Sequence, residues 1–216
     1  MPVTCPMSPA KNHLPLGAVI LGAGASSRMG RPKLLLPWGT TTVIGHLIRQ
    51  WREVGAAQIA VVYRTNDAAL MTELNRCGFP PQDRIENPHP ENGMFSSILR
   101  AARWAGWRKE ISSWAIVLGD QPHLRGETLR LLWKQAAQNP DVICQPAFNG
   151  HAGHPVILPR AGFDALKHSR AETLKDFLKP FAGRCVQCPV ADAGLLLDLD
   201  RPEDYERAVK SHIGNL

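Results

Sequence analysis

The chain has 216 residues, 44% of them hydrophobic and 20% charged, and its 25 basic against 19 acidic side chains leave a formal net charge of +6. That length buries one substantial core, and the composition excludes a disordered or low-complexity protein. A positive balance favours anionic ligands, yet no Lys/Arg run and no interleaved aromatics trace a polynucleotide track, so a small phosphate-bearing partner is the better expectation.

No apolar stretch approaches the roughly 20 residues needed to span a bilayer. The opening MPVTCPMSPAKNHLPL is rich in proline and lacks an apolar signal core. Residues 1–16 therefore read as a flexible tail, residues 17–213 as one domain, and a cytoplasmic protein is expected. Five cysteines, an odd number, argue against a disulfide framework. Cys185 with Cys188 and His151 with His154 permit a Cys2His2 zinc site, although both spacings equally suit successive positions in strands.

The first element is a short apolar run, residues 18–21, with the length and β-branched content of a buried parallel strand. It opens into GAGASSRMGRPK, which holds Arg28 and Lys33. Gly22, Gly24 and Gly30 permit tight turns and close approach, so the amides of residues 22–30 are expected to face an anion. Arg28 would meet that anion with a fork of donors and Lys33 with a point charge. Gly30 is followed by Arg-Pro-Lys, which excludes a Walker A loop, and Ser27 breaks the dinucleotide fingerprint.

Thr41 and Thr42 are N-cap candidates for an amphipathic helix over 43–54, with Gly55 as its C-terminal cap. Residues 58–63 read as the next strand and 67–77 as a helix closed by Gly78. This strand, helix, strand order implies a parallel unit. A short strand at 83–86 ends in Asn-Pro-His-Pro-Glu-Asn-Gly, whose prolines stop regular structure before a helix over 94–105. Ser96 and Ser97 in its first turn either contact a phosphate or simply cap the helix.

Residues 114–120, WAIVLGD, form the clearest buried strand after the first. Its terminal Asp120 faces the crevice where open α/β sheets bind ligands, as a metal ligand or as a cap for the next helix. Helical spacing runs from Leu129 to Ala136, a strand covers 142–148, and the loop NGHAGHP feeds a strand at 156–158. His154 contacts substrate or terminates the strand. Short helices are expected at 160–169 and 172–181, and strands at 184–190 and 195–199. Asp198 and Asp200 share one face if the last strand is extended. A final helix follows, with Asp200 as its N-cap and Pro202 in its first turn.

Taken together, GAGxSxRMGxPK, the NPxxxxGMxxSI set of Asn87, Gly93, Met94, Ser97 and Ile98, GDQP at 119–122, GHPVIL at 153–158 and DLDRPEDY at 198–205 resemble the molybdenum cofactor cytidylyltransferase-like, MobA-like NTP transferase family. The resemblance spans about 17–210. It implies a three-layer, Rossmann-like α/β nucleotidyltransferase fold with a mostly parallel central sheet, and magnesium-dependent transfer of CMP from CTP to a phosphate of molybdopterin. By the same resemblance Leu21, Gly22, Ala23, Gly24, Ser27, Arg28, Gly30 and Lys33 bind nucleotide with Asn87, Gly93 and Ser97. Arg28, Lys33 and Asp120 are catalytic, Gly153, His154 and Pro155 bind the acceptor, and Asp120, Asp198 and Asp200 are candidate magnesium ligands. A molybdoenzyme or its chaperone is the implied protein partner. Four features depart from the family pattern: Gly22 stands where Ala is frequent, which weakens the inference about the base, a loop Trp is absent, HSRAETLKDFL stands where GDxGAR is usual, and Arg201 replaces Thr. Ala23 is typical of cytidylyl transfer. Guanylyl transfer, transfer to a sugar or metabolite phosphate, and a nucleotide-binding delivery protein without turnover are the alternatives.

Overall fold

A strand that is apolar on both faces needs cover on both, and β1 (Leu16–Leu21) is buried along its whole length. In the computed structural model, which describes residues 15–213, Leu16, Ala18 and Ile20 pack into one core cluster while Val19 and Leu21 pack into a second. The alternation places the two clusters on opposite faces of the sheet. Most of the expected N-terminal tail lies outside the described residues.

After β1 and its loop, a small hairpin of β2 (Pro37–Trp38) and β3 (Thr41–Thr42) leads into α1 (Val43–Val54). Thr42 accepts a hydrogen bond from the Gly45 amide at 3.2 Å, and Gly55 closes the helix in the left-handed region at φ 97°. Both ends fall where the capping residues predict. Strand β4 (Gln58–Arg64) and α2 (Ala68–Arg76), the latter capped by the Asp67 side chain, precede β5 (Arg84–Asn87). Next come α3 (Met94–Arg103), β6 (Ser113–Leu118) and α4 (Gly126–Gln138). The chain continues through β7 (Ile143–Phe148), β8 (His151–Ala152) and β9 (Val156–Pro159), then α5 (Arg160–Leu166) and α6 (Leu174–Leu178), and ends with β10 (Cys185–Pro189) and α7 (Pro202–Ile213).

The main sheet has the order β10-β7-β9-β6-β1-β4-β5, with β8 added to β7. Parallel pairing joins β1 to β4 and β6, β4 to β5, and β7 to β10, while β9 runs against β6 and β7. Side chains from α1, α2, α4 and α7 fill one cluster, and those of α3, α5 and α6 fill the other. Helix, sheet and helix layers of a Rossmann-like α/β fold result. No helix among the described residues is long and apolar enough to cross a membrane.

One expected strand is absent. Residues 193–196 form a 3-10 turn capped by Asp192, and residues 197–200 run on outside the sheet. The alternating LLLDLD pattern imitates a half-buried strand, but Leu195 and Leu199 are buried by packing into the core instead. The Leu199 amide donates to the Asp120 carbonyl at 3.1 Å, and the Asp200 amide to the Asp198 carbonyl at 2.8 Å. Backbone groups satisfied this way leave no need for a ladder. The helix expected over 94–105 stops at Arg103, because Trp104 is extended.

Candidate active site

The loops after β1 and β6 meet the start of α3 around a cavity of about 320 Å³. Leu21, Gly22, Ala23, Gly24 and Lys33 reach it from the first loop, Gly93 and Ser97 from the start of α3, and Asp120 from the end of β6. A larger cleft of about 900 Å³ lies between α1, the start of α4 and the 193–196 turn. That cleft holds none of the predicted site residues, and its buried Asp192 is already spent on the Arg125 amide, the Thr128 hydroxyl and the Gly194 amide. The smaller cavity is therefore the one that gathers residues of the expected nucleotide site.

Within the first loop the amides do not all face the cavity. Gly22 donates to the Val62 carbonyl at 2.7 Å and Met29 to the Ser26 carbonyl at 3.1 Å, which corrects the expectation for residues 22–30. A β-carbon at Gly22 would sit 2.9 Å from both Val62 O and Leu34 Cδ1, so packing against β4 already requires glycine there. Gly24 has open space around it. Gly30 turns the chain at φ 70° but lies off the cavity. Ser26, the neighbour of the expected Ser27, lines the cavity in the left-handed region and its Oγ accepts from the Lys33 amide at 3.1 Å. Its signal was the Ser-Ser pair itself. The Ser27 side chain lies outside the described residues.

Lys33 joins the carboxylates. Its ammonium is 2.7 Å from Asp200 Oδ1 and 3.5 Å from Asp120 Oδ2, and Arg28 forms a second ion pair with Asp200. The Lys33 hydrogen bond, helped by the charges of Lys33 and Arg28, holds the Asp200 carboxyl below its ordinary value. Burial, followed by the nearby Asp198 charge, pushes the Asp120 carboxyl up. Asp120 Oδ1 is buried with no hydrogen-bond partner. An orphaned, charged oxygen beside a second carboxylate is a costly arrangement for a protein alone, and it fits a hard divalent cation.

The three aspartates do not form one cluster, and no group of three His, Cys, Asp or Glu side chains that could hold a metal occurs among the described residues. Asp198 accepts from Gln121 Nε2 at 2.8 Å, whereas Asp200 turns to Lys33. The shared strand face is thus replaced by two separate partnerships. Asp200 does not cap α7 either. In that first turn the Arg201 amide donates to Asp204 Oδ2 at 3.0 Å. The alternative zinc site is likewise not formed, with His151 exposed on β8 and Cys188 buried on β10.

Asn87 is buried and holds the loop before α3. Its Nδ2 donates to Ser96 Oγ at 2.9 Å and Ser97 Oγ at 3.0 Å, and its Oδ1 accepts from the His89 amide. It does not line the cavity. Gly93, at φ 81° and ψ 176°, occupies a region essentially reserved for glycine. Gly153, His154 and Pro155 also fall outside the cavity. The Gly153 amide donates to the Pro146 carbonyl, and a β-carbon there would meet Leu195 at 2.8 Å. His154 Nδ1 lies 3.3 Å from the Ile116 carbonyl, and burial pushes its imidazole down toward the neutral form. This segment joins β8 to β9.

Comparison with known proteins gives a consistent neighbourhood. Residues 18–187 match the family model described as the MobA-like NTP transferase domain. The molybdenum cofactor cytidylyltransferase of Escherichia coli is 26% identical over 195 residues, covering 88% of this chain and 93% of that protein. A probable molybdenum cofactor guanylyltransferase of Bacillus mycoides is 25% identical over 202 residues, covering 89% and 94%. The manganese complex of Rv0371c from Mycobacterium tuberculosis superposes with a TM-score of 0.65 at 23% identity, covering 91% of this chain and 99% of that one.

Proposed function

The chain belongs to the MobA-like NTP transferase domain family, and from that membership we propose that it transfers CMP from CTP to a phosphate of molybdopterin, releasing pyrophosphate. The observation that carries this reading is Lys33, whose ammonium lies between Asp120 and Asp200 where the glycine-rich loop meets the start of α3.

Gly24 and the first turn of α3 offer backbone amides to the triphosphate, and Ser97 offers a hydroxyl. Lys33, kept in place by Asp200, stabilises the charge that develops on the α-phosphate, while the exposed Arg28 exchanges Asp200 for the outer phosphates. An oxygen of the acceptor phosphate attacks the α-phosphorus, forming a new P–O–P link as the bond to the β-phosphate breaks. The acceptor oxygen is already ionised, so no side-chain nucleophile is needed and catalysis is positioning plus electrostatics. Asp120, with Asp198 or Asp200, would hold magnesium, which supplies Lewis-acid neutralisation of phosphate charge when bound. Asn87 acts at one remove, through Ser96 and Ser97. His154 and its glycine position the acceptor side through the β8 to β9 turn, and a molybdoenzyme or its chaperone receives the product.

The cytidine preference is supported by Ala23, a cavity-lining residue in the first loop. A methyl at close backbone approach disfavours a purine more than a pyrimidine. Gly22 carries no information about the base, since its glycine is a packing requirement. Pyrophosphate release from each of the four NTPs, with magnesium and molybdopterin, tests the proposal. CTP should give the highest kcat/KM. A preference for GTP would replace cytidylyl with guanylyl transfer, and NTP binding without pyrophosphate would identify a delivery protein.

A further inference from the structure

The segment that brings Asp200 to Lys33 is held at both ends. Upstream, Leu199 is fully buried and its amide donates to the Asp120 carbonyl at 3.1 Å. Downstream, the hydroxyl of Tyr205 in the first turn of α7 donates to the Pro37 carbonyl at 2.5 Å. The Tyr205 ring lies 6.4 Å from that of Trp38, with the Arg31 guanidinium 5.9 Å from its centroid. Pro37 belongs to the stretch that leaves Lys33, so this one hydroxyl ties the helix behind Asp200 to the loop behind Lys33. The segment lies beyond residues 18–187.

The Arg28 ion pair does not set this geometry. The Arg28 side chain is 68% exposed, and pairs of that kind orient their partners weakly. A phenol ring with few rotamers, fixed by a hydrogen bond and by Trp38, is the stiffer element. Its absence has a specific consequence. Lys33 is shared unequally, at 2.7 Å from Asp200 and 3.5 Å from Asp120. If Asp200 drifts away, the ammonium settles on Asp120, the carboxylate whose Oδ1 lacks a partner.

We propose that Tyr205 is a positioning residue that holds Asp200 against Lys33 and thereby keeps Lys33 off Asp120. The inference rests on the reading of Lys33 and Asp120 given above, and its test separates the two. Tyr205→Phe removes only the hydroxyl and keeps the ring packing. In the protein without nucleotide, hydrogen exchange should rise in residues 33–38 and 197–201 and nowhere else, and titration with manganese alone should show weaker binding. With substrates, kcat should fall about ten-fold while KM for the NTP changes less than about two-fold, a loss confined to the transition state. Combining Tyr205→Phe with Asp200→Asn should lower kcat no further than Asp200→Asn alone, because the hydroxyl acts through Asp200. Multiplicative losses in the double variant, or unchanged exchange and manganese binding in Tyr205→Phe, would overturn the proposal. Absence of turnover by the wild type with every NTP would instead reject the transferase reading, and the exchange and manganese measurements would still decide the role of Tyr205.

Discussion

Replacing Asp120 with Asn separates two effects that the structure sets against each other. The attraction between the Asp120 carboxylate and Lys33 at 3.5 Å amounts to about 5 kcal/mol at an effective dielectric of about 20. Burial of the charge and repulsion from Asp198 oppose it, and they prevail, since the Asp120 carboxyl is pushed up and not down. Asp120→Asn therefore should not destabilise the fold, and its Tm should equal or exceed that of the wild type at pH 7. The sign follows from linkage: a carboxyl raised in the folded state contributes stability that is fully present below its unfolded pKa of about 4 and is lost as pH rises through the folded value. Any gain in Tm should shrink on lowering the pH toward 4. Turnover should move the other way, falling at least about 10²-fold, or about 2.7 kcal/mol, if Asp120 is the proposed magnesium ligand. Calorimetry at two pH values and a pyrophosphate assay read both quantities. Near-wild-type turnover would refute the catalytic assignment, and a fall in Tm of more than about 4 °C would refute the balance of charges.

Lys33→Ala should reduce the single-turnover rate about 10²-fold or more while NTP affinity, read by titration, changes far less, as expected of a group that serves charge in the transition state. An effect confined to affinity would make Lys33 a ground-state ligand. Ala23→Gly should narrow the ratio of kcat/KM for CTP over GTP by about ten-fold, the size of discrimination that a single methyl contact supplies. Far from the site, Glu73 is held down to about 2 by Arg76, with Thr42 and Cys77 also bonded to it. A depressed carboxyl contributes stability above its unfolded pKa that is lost as pH falls through the folded value. Glu73→Gln should lower Tm at pH 7, and thermal melts should show the difference vanishing near pH 2.

Local chemistry was enough to read much of this molecule. Thr42 and Gly55 bound α1 because a hydroxyl that accepts an early amide and a residue free to adopt φ 97° are local requirements, independent of what packs above. The apolar runs of β1 and β6 identified central strands, because only a strand covered on both faces is apolar throughout. The glycine-rich loop, the start of α3 and Asp120 were likewise legible, and the fold brings them to one cavity because parallel strands end on the same side of the sheet. Other features depended on distant partners. Residues 195–199 carry the pattern of a strand, yet the Leu195 and Leu197 amides close a turn on Asp192 and Gly194 and the Leu199 amide finds Asp120, so side-chain alternation alone did not reveal the pairing. Asp198 and Asp200, two residues apart, part company because Gln121 takes one and Lys33 the other. Gly22 suits a close approach in sequence, and only the fold shows its amide bound to the Val62 carbonyl and no room for a β-carbon. Capping and burial act over a few residues and leave a mark in the chain, whereas the partner of a charge or of a free amide is chosen by proximity that only the folded structure creates.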